Sequence, residues 1–168
     1  MSIPEEHIND ASPSSSPRST GNVRMRYALV NGEKRLPEKG LHGVCPLCGA
    51  EVFSKCGVCR LHHWAHLHRD DCDTWSEGKT DWHIAWQDKY PKEWQEIIIS
   101  KGTEKHRADV YIPDDTPHHE MTIEFQHSFL AQEQLQEREH FYNNLVWVVD
   151  LSNKKETFRN SIKMRNIS

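Results

Sequence analysis

The chain has 168 residues, of which 36% are hydrophobic and 27% charged, and its formal net charge is −4. That length suits one modest α/β core with a small accessory element, and no apolar run approaches the roughly 18–20 residues that cross a bilayer. An acidic balance excludes whole-molecule attraction to nucleic acid, so a polyanionic partner would have to be met by local basic patches.

The opening "MSIPEEHINDASPSSSPRSTG" lacks the basic start and apolar segment of a secretory signal, and the expectation is a soluble, cytoplasmic chain with no membrane partner. Residues 1–22 are rich in Ser, Pro and small polar residues and are expected to form a disordered tail. From Val23, "VRMRYALVNGEKRLP" predicts two short strands around Asn31-Gly32, a dipeptide that tolerates the positive φ angles of a tight hairpin.

A cysteine and histidine segment follows, and residues 23–72 are expected to make a β-hairpin and zinc-binding element. Five cysteines in a cytosolic chain argue for metal ligation or free thiols more than for disulfides. Cys45 with Cys48, Cys56 with Cys59, and His63 with His66 form three pairs at the same spacing. "CPLCG" has the shape of a zinc knuckle, in which Gly49 lets backbone N–H groups approach sulfur. Zn²⁺ takes four ligands, and the expected set is Cys45, Cys48, His63 and His66. Cys56 and Cys59 are the rival second pair, although the loop back from Cys48 to Cys56 would be tight.

Residues 73–168 read as a second domain. A helix is predicted from about 77 to 90, ended by Pro91, with Trp82, Trp86 and Tyr90 as a stripe that packs on a sheet. Strands are predicted at 96–100, 106–112, 121–127 and 145–151, with helices at 131–144 and 154–165. The order is α-β-β-β-α-β.

The acids stand out. Glu124 and Gln126 are two apart in "TIEFQ" and share a strand face, and Asp109 in "RADVYI" lies on the preceding strand, close enough to join them. Two carboxylates and an amide oxygen make a hard-oxygen site of the kind Mg²⁺ or Mn²⁺ prefers. The competing reading makes each acid the structural partner of a nearby cation. If the two acids share only a metal, Asp109→Asn is expected to leave stability similar or to raise it by relieving repulsion with Glu124.

Other candidates surround this pair. Glu77 falls in the first turn of the predicted helix, where capping is its alternative role. His83 is a candidate proton shuttle or phosphate contact, or a surface histidine. Arg138 occupies an inward helical stripe and needs an anion, either Glu124 or a phosphate. Lys155, Arg159 and Lys163 recur every four residues and form either a nucleic-acid-binding face or a solvated one.

Taken together, "YALVNG", "CPLCG", "HWAH", "WSEGKTDWHIAWQ", "RADV", "IEFQHS", "REHFY" and "VWVVD" resemble, in number and order, the competence-protein CoiA-like branch of the PD-(D/E)xK nuclease superfamily, over about residues 26–151. The resemblance implies a mixed-sheet, restriction-endonuclease-like core and metal ligands at Asp109 and Glu124. It also implies a helix acid at Glu77, and Gln126 where most of the superfamily carries a catalytic lysine. It favours the "HWAH" pair as zinc ligands. Where the branch usually has lysine, this chain has Gln87.

The implied activity is Mg²⁺- or Mn²⁺-dependent hydrolysis of DNA, in uptake and recombination or in defence against foreign DNA, with other DNA-processing or defence proteins as partners. A nucleic-acid-binding or assembly module that keeps the fold with weak catalysis is the alternative.

Overall fold

The computed structural model describes residues 24–58, 61–68, 72–76, 78–115 and 119–152. The expected tail (1–22) and last helix (154–165) lie outside them. Nine strands and two helices form two sheets among the described residues, a mixed α+β architecture.

The first sheet contains β1 (Ala28–Val30), β2 (Glu33–Arg35), β3 (His42–Val44), β4 (Glu51–Lys55) and β5 (His63–His66), in the order β2-β1-β3-β4-β5, with every pairing antiparallel. The hairpin is where the sequence puts it: Asn31 and Gly32 have φ of 53° and 82° and join Val30 to Glu33. Its small core gathers Met25, Ala28, Cys45, Val52 and Trp64. Trp64 is fully buried, and its indole N–H donates to the Arg35 carbonyl at 3.0 Å.

The second sheet contains β6 (Gln95–Lys101), β7 (Glu104–Ile112), β8 (Met121–Gln126) and β9 (Leu145–Val149), in that order. The first three strands are antiparallel, and β9 lies parallel to β8 after the crossover helix α2 (Gln132–Tyr142). Before this sheet runs α1 (Asp81–Gln87). It starts later than the periodicity predicts because Thr80 caps it, its hydroxyl accepting from the His83 N–H at 3.3 Å. The described order from α1 is α-β-β-β-α-β.

One face of the second sheet packs Val110, Ile123 and Phe125 against Trp82, Trp86, Tyr90 and Trp94, so the aromatic stripe is core. A separate cluster joins Ala108 to Phe141 and Tyr142 of α2. The two sheets are tied by buried polar contacts. The Tyr27 hydroxyl donates to Gln95 Oε1 at 2.8 Å, and the backbone N–H groups of Arg26 and Tyr27 donate to the Glu96 carboxylate, each at 3.4 Å.

Candidate active site and metal cluster

The acid site sits where the strand ladders lapse. Register places Glu96, Asp109 and Glu124 on one rung of β6, β7 and β8: Gln95 pairs with Val110 and Ile97 with Ala108, while the β7–β8 pairing ends at Val110 with Ile123. At this rung side chains replace the backbone acceptors. The Asp109 N–H donates to Glu124 Oε1 at 3.1 Å, and the Phe125 N–H donates to Asp109 Oδ2 at 3.0 Å. All three acids are buried, and Glu96 has φ of 47°, a region that a residue with a Cβ enters only when its surroundings impose it.

Burying three carboxylates in a row demands cations, and three converge on them. Lys79, from the loop ahead of α1, places Nζ 2.5 Å from Asp109 Oδ1 and 3.4 Å from Glu96 Oε1. Arg107 Nε lies 3.9 Å from Glu96 Oε2, and Arg138 Nη1 lies 3.8 Å from Glu124 Oε2. His83 Nε2 completes the set at 2.9 Å from both Asp109 Oδ1 and Lys79 Nζ.

The protonation states follow. Burial raises the Asp109 pKa, but Lys79 and His83 more than offset that and hold the carboxyl well below its usual range. Burial also raises Glu96, and Lys79 with Arg107 bring it down below the ordinary value. Glu124 goes the other way: burial first, then the Asp109 charge, push it up to about 8 against the opposing pull of Arg138. Burial, followed by Lys79, lowers His83 and keeps the imidazole neutral near pH 7.

The Lys79 contact leads to a different expectation for Asp109→Asn. The acids do not simply repel each other: Asp109 is already paired with Lys79, while burial and the Asp109 charge disfavour the ionised form of Glu124. Because its folded pKa lies above the ordinary 4.5, Glu124 favours folding most at low pH, and that contribution is lost as pH rises through about 8. Metal-free wild-type protein should therefore lose, between pH 5 and 9, stability that Glu124→Gln retains. Denaturant unfolding of both proteins at several pH values measures the difference, and parallel curves would assign the slope to other groups.

A cavity of about 20 Å³, room for one water or one cation, opens on this rung and is lined by Lys79, His83, Arg107, Asp109, Glu124 and Gln126 together with Trp75, Ser76, Phe125 and Arg138. Gln126 faces it as expected, with Nε2 donating to the Ser128 carbonyl at 2.9 Å. Arg138 meets Glu124 and also donates to the Trp75 carbonyl at 3.0 Å. Gln87 does not line this cavity. It is fully buried, and its amide donates to the Asp109 carbonyl at 3.0 Å. Glu77, Lys155, Arg159 and Lys163 lie outside the described residues.

Lys79 and Glu96 are the residues that sequence reasoning passed over. Lys79 lies ahead of the helix in a loop whose path no periodicity reveals. Glu96 is an acid in an apolar strand, the same signal that marked Asp109 and Glu124.

The second cluster lies in the first sheet. Cys45, Cys48, His66 and Cys72 bring one ligand atom each to within 4.8 Å of one another. Sγ of Cys45 is 3.7 Å from Sγ of Cys72, and Sγ of Cys48 is 3.4 Å from Nε2 of His66. A tetrahedron with Zn–S of about 2.3 Å and Zn–N of about 2.0 Å has S···S edges near 3.8 Å and S···N edges near 3.5 Å, so this donor set can hold a metal such as zinc. The Cys45–Cys48 turn has knuckle geometry, with Gly49 at φ of 73° and its N–H donating to the Cys45 carbonyl at 2.9 Å. The Cys72 thiol and the knuckle N–H groups favour a Cys45 thiolate, drawing its pKa down to about 4.

Cys72 stands where the sequence expected His63. On β5, His66 pairs with Val52 and His63 with Lys55, and residues three apart on a strand point to opposite faces, so one metal cannot collect both. His63 Nδ1 instead lies 2.9 Å from the Leu61 carbonyl. Of the rival pair, Cys56 is outside the cluster and Cys59 is outside the described residues. The available signal for Cys72 was that it is the one cysteine outside a C-x-x-C pair.

A short segment joins the two clusters. Asp73, next to Cys72, accepts from the Trp75 N–H at 3.1 Å and the Arg107 N–H at 3.2 Å, and its Oδ1 is 3.1 Å from His106 Nδ1. Trp75 stacks on His106 with ring centroids 3.3 Å apart.

The described chain is thus an α+β protein with a Cys₃His cluster in one sheet and a buried acid–lysine site in the other. The model of the nuclease-like domain of competence protein CoiA matches residues 77–168. The chain belongs to that family. No curated protein and no solved structure matches it. No described helix is long and apolar enough to cross a membrane.

Proposed function

We propose that this protein is a divalent-metal-dependent nuclease that hydrolyses DNA phosphodiester bonds on a restriction-endonuclease-like core, with a structural zinc in its first sheet. The carrying observation is the pairing of Asp109 and Glu124 on adjacent strands around a polar cavity of about 20 Å³. Their hard oxygens suit Mg²⁺ or Mn²⁺, and burial together with the neighbouring Asp109 charge raises the pKa of Glu124, a cost that a bound cation would relieve.

Asp109 and Glu124 would hold the ion, which supplies charge against the phosphate and acidifies water beside it. Gln126 orients the attacking water. As the water oxygen bonds to phosphorus and one P–O ester bond breaks, the water proton passes to neutral His83 at Nε2. The leaving alkoxide takes a proton from solvent, and His83 later returns its own. Glu77, a helix acid by the family resemblance, would assist, and Lys155, Arg159 and Lys163 would hold the flanking backbone. The biological setting is cytoplasmic, in DNA uptake and recombination or in defence against foreign DNA, alongside other DNA-processing or defence proteins.

Purified protein incubated with single- and double-stranded DNA and with RNA, with Mn²⁺ or Mg²⁺ and then with chelator, tests this reading. Cleavage of DNA that requires the metal supports it. Binding of DNA without cleavage in any metal would favour a nucleic-acid-binding module, a reading that the uncharged amide at Gln126 keeps open. Gln126→Ala is expected to bind Mn²⁺ like the wild type and to cleave roughly 100-fold more slowly, as befits a group that only positions the water. Equal rates would remove Gln126 from the reaction.

A further inference from the structure

On the acid rung each carboxyl group already faces a cation: Glu96, Asp109 and Glu124 stand against Lys79, Arg107 and Arg138. A divalent cation entering that rung adds positive charge to a site already lined by cations, so either a resident cation withdraws or an anion joins. The cavity is prepared for an anion. Among the described residues Arg107 Nη1 and Arg138 Nε are buried without a hydrogen-bond partner, and both arginines line it. Unpaired buried donors are costly and call for an acceptor.

Lys79 is the resident cation best placed to move. Its ammonium touches Asp109 Oδ1 at 2.5 Å and His83 Nε2 at 2.9 Å, while Glu96 Oε1 at 3.4 Å gives it a second anchor. The arginines are tied more firmly at other points: Arg107 Nη2 donates to Ser76 Oγ at 2.8 Å, and Arg138 Nη2 donates to the Trp75 carbonyl. A lysine ammonium is a compact charge on a flexible stem that can pivot between acceptors, unlike a planar guanidinium fork. Among the described residues no other lysine lines this cavity, and Gln126 brings no charge to it.

We propose that Lys79 is a catalytic residue: its ammonium rests on Asp109 while no divalent cation is bound, and turns to a non-bridging oxygen of the scissile phosphate when a cation takes that carboxylate. The inference rests on the nuclease reading above. Lys79 stays protonated throughout and donates only a hydrogen bond, so the bonds made and broken are those of hydrolysis alone. Two consequences are separable. Lys79 competes with metal for Asp109, and it stabilises charge that develops on the phosphate.

The test titrates Mn²⁺ into the full chain by calorimetry and measures single-turnover DNA cleavage at saturating Mn²⁺, for wild type, Lys79→Met and Lys79→Met combined with Gln126→Lys. Lys79→Met should bind Mn²⁺ about 10-fold more tightly, with competition for Asp109 gone, and should cleave about 100-fold more slowly, the loss typical of removing one donor to a developing oxyanion. The double variant should recover part of that rate, because an ammonium re-enters the same cavity from β8. Should the methionine variant fail to fold, Lys79→Gln replaces it with the same expectations. Wild-type cleavage with an undiminished rate in the Lys79 variant overturns the role of Lys79 alone, as does weaker metal binding without rescue. Wild type that cleaves no nucleic acid overturns the nuclease reading and this inference together.

Discussion

Cys72→Ser is expected to lower zinc content from about one ion per chain to none, whereas His63→Ala keeps the full complement. The physical ground is the convergence of Cys45, Cys48, His66 and Cys72 within 4.8 Å, against a β5 register that turns His63 to the other face. Structural zinc in a Cys/His site carries apparent binding energies of order 10 kcal/mol, far more than the small core of Met25, Ala28, Val52 and Trp64 can replace. The first sheet should therefore lose its cooperative unfolding transition. The effect should also reach the acid site, since Cys72 anchors the segment whose Asp73 holds the Arg107 backbone and His106. Elemental analysis and thermal unfolding of the two variants measure both effects. Zinc retained in Cys72→Ser and lost in His63→Ala would restore the ligand set read from the sequence.

Asp109→Asn and Glu124→Gln should each abolish most metal-dependent cleavage, because each removes a hard anionic ligand, yet they should move stability in opposite directions. Asp109 neutralises a buried lysine at 2.5 Å, and removing one member of a buried ion pair typically costs about 3–5 kcal/mol. Glu124 is pushed up to about 8, so an amide resembles its protonated form and the variant should be as stable as wild type, or more so above pH 8. Urea unfolding of metal-free protein at pH 8.5 separates the two. Destabilisation of similar size in both variants would identify both acids as ion-pair partners, Asp109 of Lys79 and Glu124 of Arg138, and would favour the binding-module reading.

Periodicity and residue chemistry carried much of this molecule. Alternation and turn residues located the Asn31-Gly32 hairpin and the run of strands around Asp109 and Glu124, because a two-residue period and a positive-φ dipeptide are local properties. Carboxylates among apolar neighbours marked the site for the same reason: charge on a buried strand face must be answered. "CPLCG" was readable because four residues make the whole knuckle.

What the sequence could not settle depends on how distant segments meet. His63 and His66 look alike as ligands until β5 pairs with β4, and that pairing, with Lys55 opposite His63 and Val52 opposite His66, decides which histidine faces the sulfurs. Cys72 joins them because the chain returns there. Glu96, Asp109 and Glu124 became one rung only through the register of three strands, and Lys79 reached that rung because Thr80 starts α1 just after it. The sequence by itself determined which chemistry had to be present, two carboxylates needing a cation and soft ligands needing a metal. Tertiary structure alone decided which partners answer them, because strand register and loop return are long-range choices, and burial then fixes the charges those partners must carry.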